Sequence, residues 1–452
     1  MKQESFFLRS FYRTRDAGLF FHYVGPSVFG MLICGSYSIV DTIFIGQASG
    51  KDGLAAIAVT WPLVMLLWAF GDLAGAGGAV LIAQKNGAGR PDEAQRYFSA
   101  TCFLLLAGAV VLTCAALPVL PPVLRFLGAE PDMLDTSLRY TRIMTGGLTL
   151  SLLMSLVMNV IRNDGHPALS MWIMVSGLLG NIALDWVFIF LIGMGAAGAA
   201  AASVTSQLFA VLFGVWYFTS SKTRLRFRFR EIVRPARDDL KRILLTGLPI
   251  YGNMISVIAM LFMHNAQSLQ YGQVDGLAAY TVVSGLEALG SMLMTGIAGG
   301  VQPLAAGMYG AHKFKRQNRF GNYGYQLAFA AGVALMFFSF GMRTVVPGWM
   351  GLEGDAARLA ARAILLSAPA FLFLGMIRVA GFYYQATGKI AVSSWLIYGD
   401  SFLALPLCLY TLPLWLGMDG VWLAMPASRV LLMGLLCYFW FARSKRARNP
   451  RP

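Results

Sequence analysis

Hydrophobic residues run along this chain in long blocks separated by short polar turns, and twelve of the blocks are long enough to span a bilayer core. Crossing roughly 30 Å of hydrocarbon takes about 20 helical residues. The predicted helix cores lie at 20–46, 54–84, 98–124, 137–160, 168–192 and 196–219, then at 243–269, 277–308, 321–346, 360–386, 391–415 and 420–441. The pattern is written twice. DGLAAIAV at 52–59 returns as DGLAAYTV at 275–282, an offset of 223 that also carries Pro26 onto Pro249, Gly77 onto Gly300, Gly87 onto Gly310 and Arg96 onto Arg319. Six spans per copy is an even number, so both copies have the same orientation and are related by a pseudo-two-fold along the membrane normal. The expected fold is an all-α polytopic membrane protein with two homologous six-helix bundles: an N-lobe over 1–219, a basic linker at 220–242, a C-lobe over 243–442 and a basic tail at 443–452.

Composition agrees with the blocks: 57% of residues are hydrophobic and 13% charged, against about 25% charged in ordinary soluble domains. The net charge of +15 is unevenly placed, since 27 of the 36 Lys and Arg fall in the N-terminus, the even loops and the C-terminus, and 7 in the opposite loops. The positive-inside rule makes both termini cytoplasmic. The densest basic run, Lys222 to Arg242, lies in the linker and reads as an orientation signal touching anionic head groups, not as a nucleic-acid site. The first block is longer than a signal-peptide core and contains Pro26, so it is expected to be a first transmembrane helix. Five cysteines without a CxxC pair and four scattered histidines give no metal site and no cofactor.

Ionisable side chains inside spans cost several kcal/mol and mark function. Here they are Asp41, Asp72, Asp185, His264, Glu287, Arg378, Asp400 and Arg429. Asp41 and Asp185 stand at a similar depth on the first and fifth spans, and each has a polar residue one turn inward, Tyr37 and Asn181. Asn159 and Ser203 can complete the cluster. Two close carboxylates cannot both ionise freely, which suits a proton site. The same oxygen set suits a small hard cation such as Na+. The repeat carries Asp41 onto His264, Asp185 onto Cys408, Tyr37 onto Met260 and Asn181 onto Ala404, so the constellation belongs to one lobe.

Asp72, Glu287, Asp400 and Arg378 are candidates for a substrate cavity, the acids attracting a cation; the alternative is ion pairing across helices with Arg378 and Arg429. His264 reads as an ordinary interior histidine. Pro26 and Gly30, one turn apart, can form a hinge beneath Asp41 on the same helix.

The chain resembles the multidrug and toxic compound extrusion (MATE) family through nearly all its spans. The likeness is carried by Pro26, DTIFIG at 41–46 followed by DGLAA, AGAGGAVLIAQKNGAG at 74–89 with IAGGVQPLAAGMYGA at 297–311, NDGHP at 163–167, and NIALDWVFIF with GMGAAGAAAAS at 181–203. Within the family it looks like the DNA-damage-inducible branch. The resemblance implies a V-shaped pair of six-helix bundles in a bacterial inner membrane, exporting amphipathic, cationic compounds by alternating access in exchange for H+ or Na+. It assigns coupling to Asp41 and Asp185, hydrogen-bonding partners to Tyr37, Asn159 and Asn181, a position that is Thr in some members to Ser203, and bending to Pro26. The branch that places its acid in helix seven does not match, because 243–269 contains no Asp or Glu. A monomer suffices. The rivals are a flippase of lipid-linked oligosaccharide, which needs cationic cavity residues such as Arg378 and Arg429, and a membrane-embedded lipid-modifying enzyme. The latter needs a catalytic cluster that the isolated loop charges Glu130, Asp132, Glu353 and Asp355 do not form.

Overall fold

The computed structural model describes the backbone of residues 16–448, with side chains throughout except at 36–39, 51–52 and 435–448. The side chain of Tyr37 and the residues of the basic tail at 443–452 therefore lie outside the described side chains.

The described chain is helical, with no strand assigned. The helices are α1 (Asp16–Gly50), α2 (Gly53–Gly87), α3 (Pro91–Phe126), α4 (Pro131–Gly146), α5 (Leu148–Asn163), α6 (Pro167–Asp185), α7 (Ala196–Thr219), α8 (Phe229–Val233) and α9 (Arg237–Gly310). They continue as α10 (Phe314–Met342), α11 (Val346–Trp349), α12 (Gly354–Ser367), α13 (Phe371–Ala386), α14 (Ile390–Gly399), α15 (Leu405–Thr411), α16 (Pro413–Leu416) and α17 (Met418–Arg448). Among the described residues nine helices are long and apolar enough to cross a membrane, or ten with the bent pair α4–α5 taken as one span. α9, at 74 residues, is far longer than one crossing needs and breaks at Gln273, so it holds two spans. With α17 the spans number twelve, as the apolar blocks predict.

Local geometry departs from the predicted blocks at identifiable residues. The block at 137–160 is two helices meeting at 51°, where Gly147 meets Val204 so closely that a Cβ would sit 2.4 Å from its side chain. The block at 360–386 passes through a 3-10 turn at Ala368–Ala370, where Pro369 cannot donate to the helical ladder. The linker is shorter than 220–242 suggests, because α9 already begins at Arg237. It is docked by Gln95, whose Nε2 donates to the Arg226 carbonyl at 2.7 Å and whose Oε1 accepts from the Arg226 N–H at 2.8 Å.

Two compact units divide the chain. The first joins Met1–Met254 with Gly299–Phe320 and Gln385–Ile390; the second holds Ile255–Ala298, Gly321–Tyr384 and Ala391–Pro452. The core of the first includes Phe98, Leu105, Leu152, Tyr217, Phe218 and Ile243. That of the second includes Tyr280, Val283, Ile364, Leu405, Leu409 and Trp422. Large apolar side chains such as Phe21, Trp172, Phe262 and Trp395 remain exposed. On a chain built of spanning helices, these faces meet lipid.

Inside the first unit the two sequence copies touch through contacts that obey the 223 offset. A Cβ on Gly87 would lie 2.1 Å from the Gly307 carbonyl oxygen, and one on Gly310 would lie 1.8 Å from that of Gln84. Gly77 packs against Ile243 and Gly247, and Gly300 against Val24. Each contact is the other with the repeats exchanged. Ion pairs follow the same rule: Arg96 meets Asp239 at 2.8 Å, and Arg319 meets Asp16 at 2.5 Å. Asp16 also accepts from Arg316 at 2.7 Å.

Candidate functional site

α1 supplies Asp41, and α6 supplies Asn181 and Asp185 one turn apart on a single face. Asn181 and Asp185 are both wholly buried. α6 starts at Pro167, where the missing N–H costs nothing, after a turn in which Gly165 has a φ of 106°. Directly after Asp185 the helix widens into a π-turn over Trp186–Leu191. α7 is admitted against that turn by small residues: a Cβ on Gly198 would already lie 3.0 Å from the Phe188 carbonyl.

Oriented by its surroundings, the Asn181 amide nitrogen donates to Asp41 Oδ1 at 3.0 Å and to Asp185 Oδ2 at 3.1 Å. The carboxyl groups also reach one another directly. One amide thus bridges two acids from separate helices. Around them lies an apolar cluster of Ile45, Val64, Met144, Ile189, Ala199 and Ala200. In such surroundings two ionised carboxylates in contact repel one another, and one shared proton or one small cation between them relieves the repulsion.

Ser203 is buried on α7. Tyr140 of α4, which the sequence did not single out, is buried in the same apolar cluster and interacts electrostatically with both Asp41 and Asp185. No acid or amide stands at a helical spacing from Tyr140 to betray it; only the fold of α4 onto α1 brings it there.

Asn159 has other partners. Its amide donates to Ser155, and its oxygen accepts from Arg162 Nη2 at 2.7 Å. Ser155 in turn donates to Asp72 Oδ1 at 2.9 Å. The candidate cavity acids of the second unit are engaged as well. Glu287 is ion-paired with buried Arg429, Asp400 accepts from Ser428 at 3.1 Å, and Arg378 donates to Ser291 at 3.3 Å. Glu287 and Arg429 line a cavity of about 10 Å³, room for no more than a single water, together with Ser339, Ser367, Phe371 and Met425. His264 stacks on Tyr280 at 5.0 Å, and its Nδ1 lies 3.1 Å from the Met260 carbonyl. α1 runs through Pro26 without a break, and Gly30 leaves room for Met174 of α6. Among the described residues no three acids, histidines or cysteines gather as a metal site.

Two helical repeats crossing a membrane, with a half-buried Asp41 against a wholly buried Asp185 in one and other residues at the matching positions of the second, are the frame of a membrane transporter. The MatE family profile matches residues 26–187 and 249–409, two stretches whose starts are 223 residues apart. The chain belongs to the MATE family; it is a multi-pass membrane transporter and not an enzyme. It is 24% identical over 366 residues, 80% of each chain, to the multidrug export protein MepA of Staphylococcus haemolyticus. Its fold matches an outward-facing multidrug resistance MATE transporter with a TM-score of 0.91, at 21% identity and 99% coverage of both chains. It also matches a MATE in the bent conformation, with a TM-score of 0.88, at 22% identity and 96% coverage of both.

Proposed function

We propose that this chain is a secondary antiporter that exports amphipathic, cationic organic compounds across a bacterial inner membrane in exchange for protons, by alternating access between its two repeats. The observation that supports this most is the Asn181 bridge between Asp41 and Asp185, buried in apolar surroundings. The relatives described as multidrug export proteins support the class of substrate. One charge moving through 100 mV releases about 2.3 kcal/mol, roughly a fifty-fold gradient before any pH difference is added. Protons entering from outside occupy the pair, with Ser203 of α7 in its polar shell. Pro26 and Gly30 let α1 flex as the charge beneath Gly50 changes, in keeping with a relative observed in a bent conformation. Both termini lie in the cytoplasm, no cofactor takes part and a monomer is the working unit. A flippase for a pyrophosphate-linked lipid is disfavoured because Arg429 is already committed to Glu287.

The test is efflux of ethidium from proteoliposomes under an imposed pH gradient or an imposed Na+ gradient, for the intact chain, Asp41→Asn and Asp185→Asn. A pH gradient alone drives efflux, and either substitution lowers it at least about ten-fold, the loss of about 1.4 kcal/mol of coupling. Efflux driven only by Na+ assigns the pair to sodium, and undiminished efflux in both variants removes it from the mechanism.

A further inference from the structure

Asp72 is held differently from the acids above it. It stands on α2 between Gly71 and Gly75, and these glycines bring α5 unusually close. A Cβ on Gly71 would lie 2.9 Å from Leu152, and one on Gly75 would lie 2.9 Å from Ser155 Oγ. The approach delivers a single hydroxyl, from Ser155 to Asp72 Oδ1 at 2.9 Å. The charged and titratable groups facing the carboxyl are Arg162 of α5 and the Cys34 thiol of α1.

Arg162 does not pair with the acid. Ser155, Asn159 and Arg162 recur at i, i+4 and i+7 along one face of α5. Asn159 Nδ2 reaches Ser155 Oγ at 3.2 Å, while Arg162 Nη2 reaches Asn159 Oδ1 at 2.7 Å. Acid and base are thus joined through a hydroxyl and an amide. Arg162 Nε is buried without a partner, and Nη1 would be 3.3 Å from a Cβ on Gly299, which belongs to the second sequence copy.

A carboxylate at span depth with one neutral donor is costly when ionised, and a bound proton removes the cost. Counted from the break at Gly50, Asp41 lies about 13 Å along its helix and Asp72 about 33 Å along the next. They are separate sites.

We propose that Asp72 is a second proton-binding site of the transporter, and that the Ser155–Asn159–Arg162 chain passes its charge state to the contact between the sequence copies at Gly299. This rests on the antiport reading above. The ligand is a proton, taken up by the carboxylate and given back with no other bond made or broken. With Asp72 ionised, Arg162 is drawn toward Ser155; with Asp72 neutral, that pull is gone and the guanidinium is released against Gly299.

The experiment measures steady-state ethidium accumulation in proteoliposomes at one unit of pH difference and zero membrane potential. Each coupled proton contributes ten-fold, so about 100-fold accumulation is expected for the intact chain, about 10-fold for Asp72→Asn, and recovery for Asp72→Glu. Accumulation by Asp72→Asn equal to that of the intact chain overturns the second site. If the intact chain itself ignores the pH gradient, the antiport reading fails instead. For an Asp72→Asn protein that does not fold, the intact protein is treated with dicyclohexylcarbodiimide, which modifies protonated carboxyls in membranes, and its peptides are analysed by mass spectrometry. Modification of Asp72 at pH 7 that declines by pH 9 supports the site. A chain modified at Asp41 or Asp185 but never at Asp72 overturns it.

Discussion

Asp164, in the turn between α5 and α6, shows what one buried carboxyl does at a membrane edge. Tyr217 donates to its Oδ2 at 2.8 Å and Asn86 to its Oδ1 at 3.2 Å. The same Tyr217 hydroxyl lies 2.9 Å from His166 Nδ1. Burial pushes the Asp164 carboxyl up to about 6 despite hydrogen bonds from Thr223, Tyr217 and Asn86 and the nearby charge of Arg226. Burial, helped by Lys222 and His22, holds His166 below its ordinary value. The folded protein therefore binds the Asp164 proton more tightly than the unfolded chain does. Its contribution is complete below the unfolded value near 3.8 and is lost as pH rises through about 6. His166 works in the opposite sense, its contribution being complete above the unfolded value of 6.5 and lost as pH falls from there through the lower folded value. Asp164→Asn is expected to flatten the pH dependence of stability between 4 and 6 and to gain about 1 kcal/mol at pH 8. Thermal unfolding in detergent from pH 4 to 8 checks this, and a slope unchanged from the intact protein refutes it. At this scale the sequence was most readable where partners share a helix. Asn181 and Asp185 are an i, i+4 pair, so their common face could be read directly. Tyr140 and the Ser155–Asn159–Arg162 chain could not be assigned to their acids, because which helix faces which is a tertiary fact.

Helices in this protein end and meet through glycine, and the two copies solve the same problem unequally. α1 and α2 are separated at Gly50, with φ 59°; the equivalent break in α9 falls at Gln273, with φ 51° and ψ −145°. That region is nearly reserved for glycine, and a side chain there costs on the order of 1–3 kcal/mol. Gln273→Gly is expected to stabilise the protein by about 1 kcal/mol, read as a higher melting temperature in the same detergent; no gain would mean the turn is unstrained. Gly310 tests the opposite case. Its Cβ would meet the Gln84 carbonyl at 1.8 Å, whereas nothing lies within 4 Å of one on Gly285. Gly310→Ala should cost about 1–3 kcal/mol, while Gly285→Ala should not destabilise, and equal effects would show that helix propensity outweighs packing. The apolar blocks foretold the spans because crossing a bilayer demands length. They did not foretell the bend at Gly147 or the π-turns at Trp186–Leu191 and Asp400–Ala404, which alter hydrogen bonding without altering hydropathy.

Across the whole molecule the duplication explains more than resemblance, because the copies hold one another by exchanged contacts. Gly77, Gly87 and Arg96 were visible in the sequence as partners of Gly300, Gly310 and Arg319, yet nothing there said that each would touch the other copy. Asp16 and Asp239, also 223 apart, went unnoticed because both stand near helix starts, where acids are common. In the structure they close the two exchanged ion pairs. Under the alternating access proposed above, such pairs form in one state and break in another, so their strength sets the balance between states. Pairs at this exposure contribute about 0.2–1 kcal/mol each. Removing both should therefore shift the equilibrium by about 0.4–2 kcal/mol, or roughly 2- to 30-fold, toward the state in which the copies part at this end. Asp92 and Lys315, exposed and 223 residues apart, are natural positions for a pair of spin labels in a background without native cysteines. In Asp16→Asn/Asp239→Asn the longer-distance population should grow by that factor, with each single substitution giving part of it. An unchanged distance distribution would mean that the glycine contacts alone hold this end closed, and that the exchanged charges only orient the helices as they assemble.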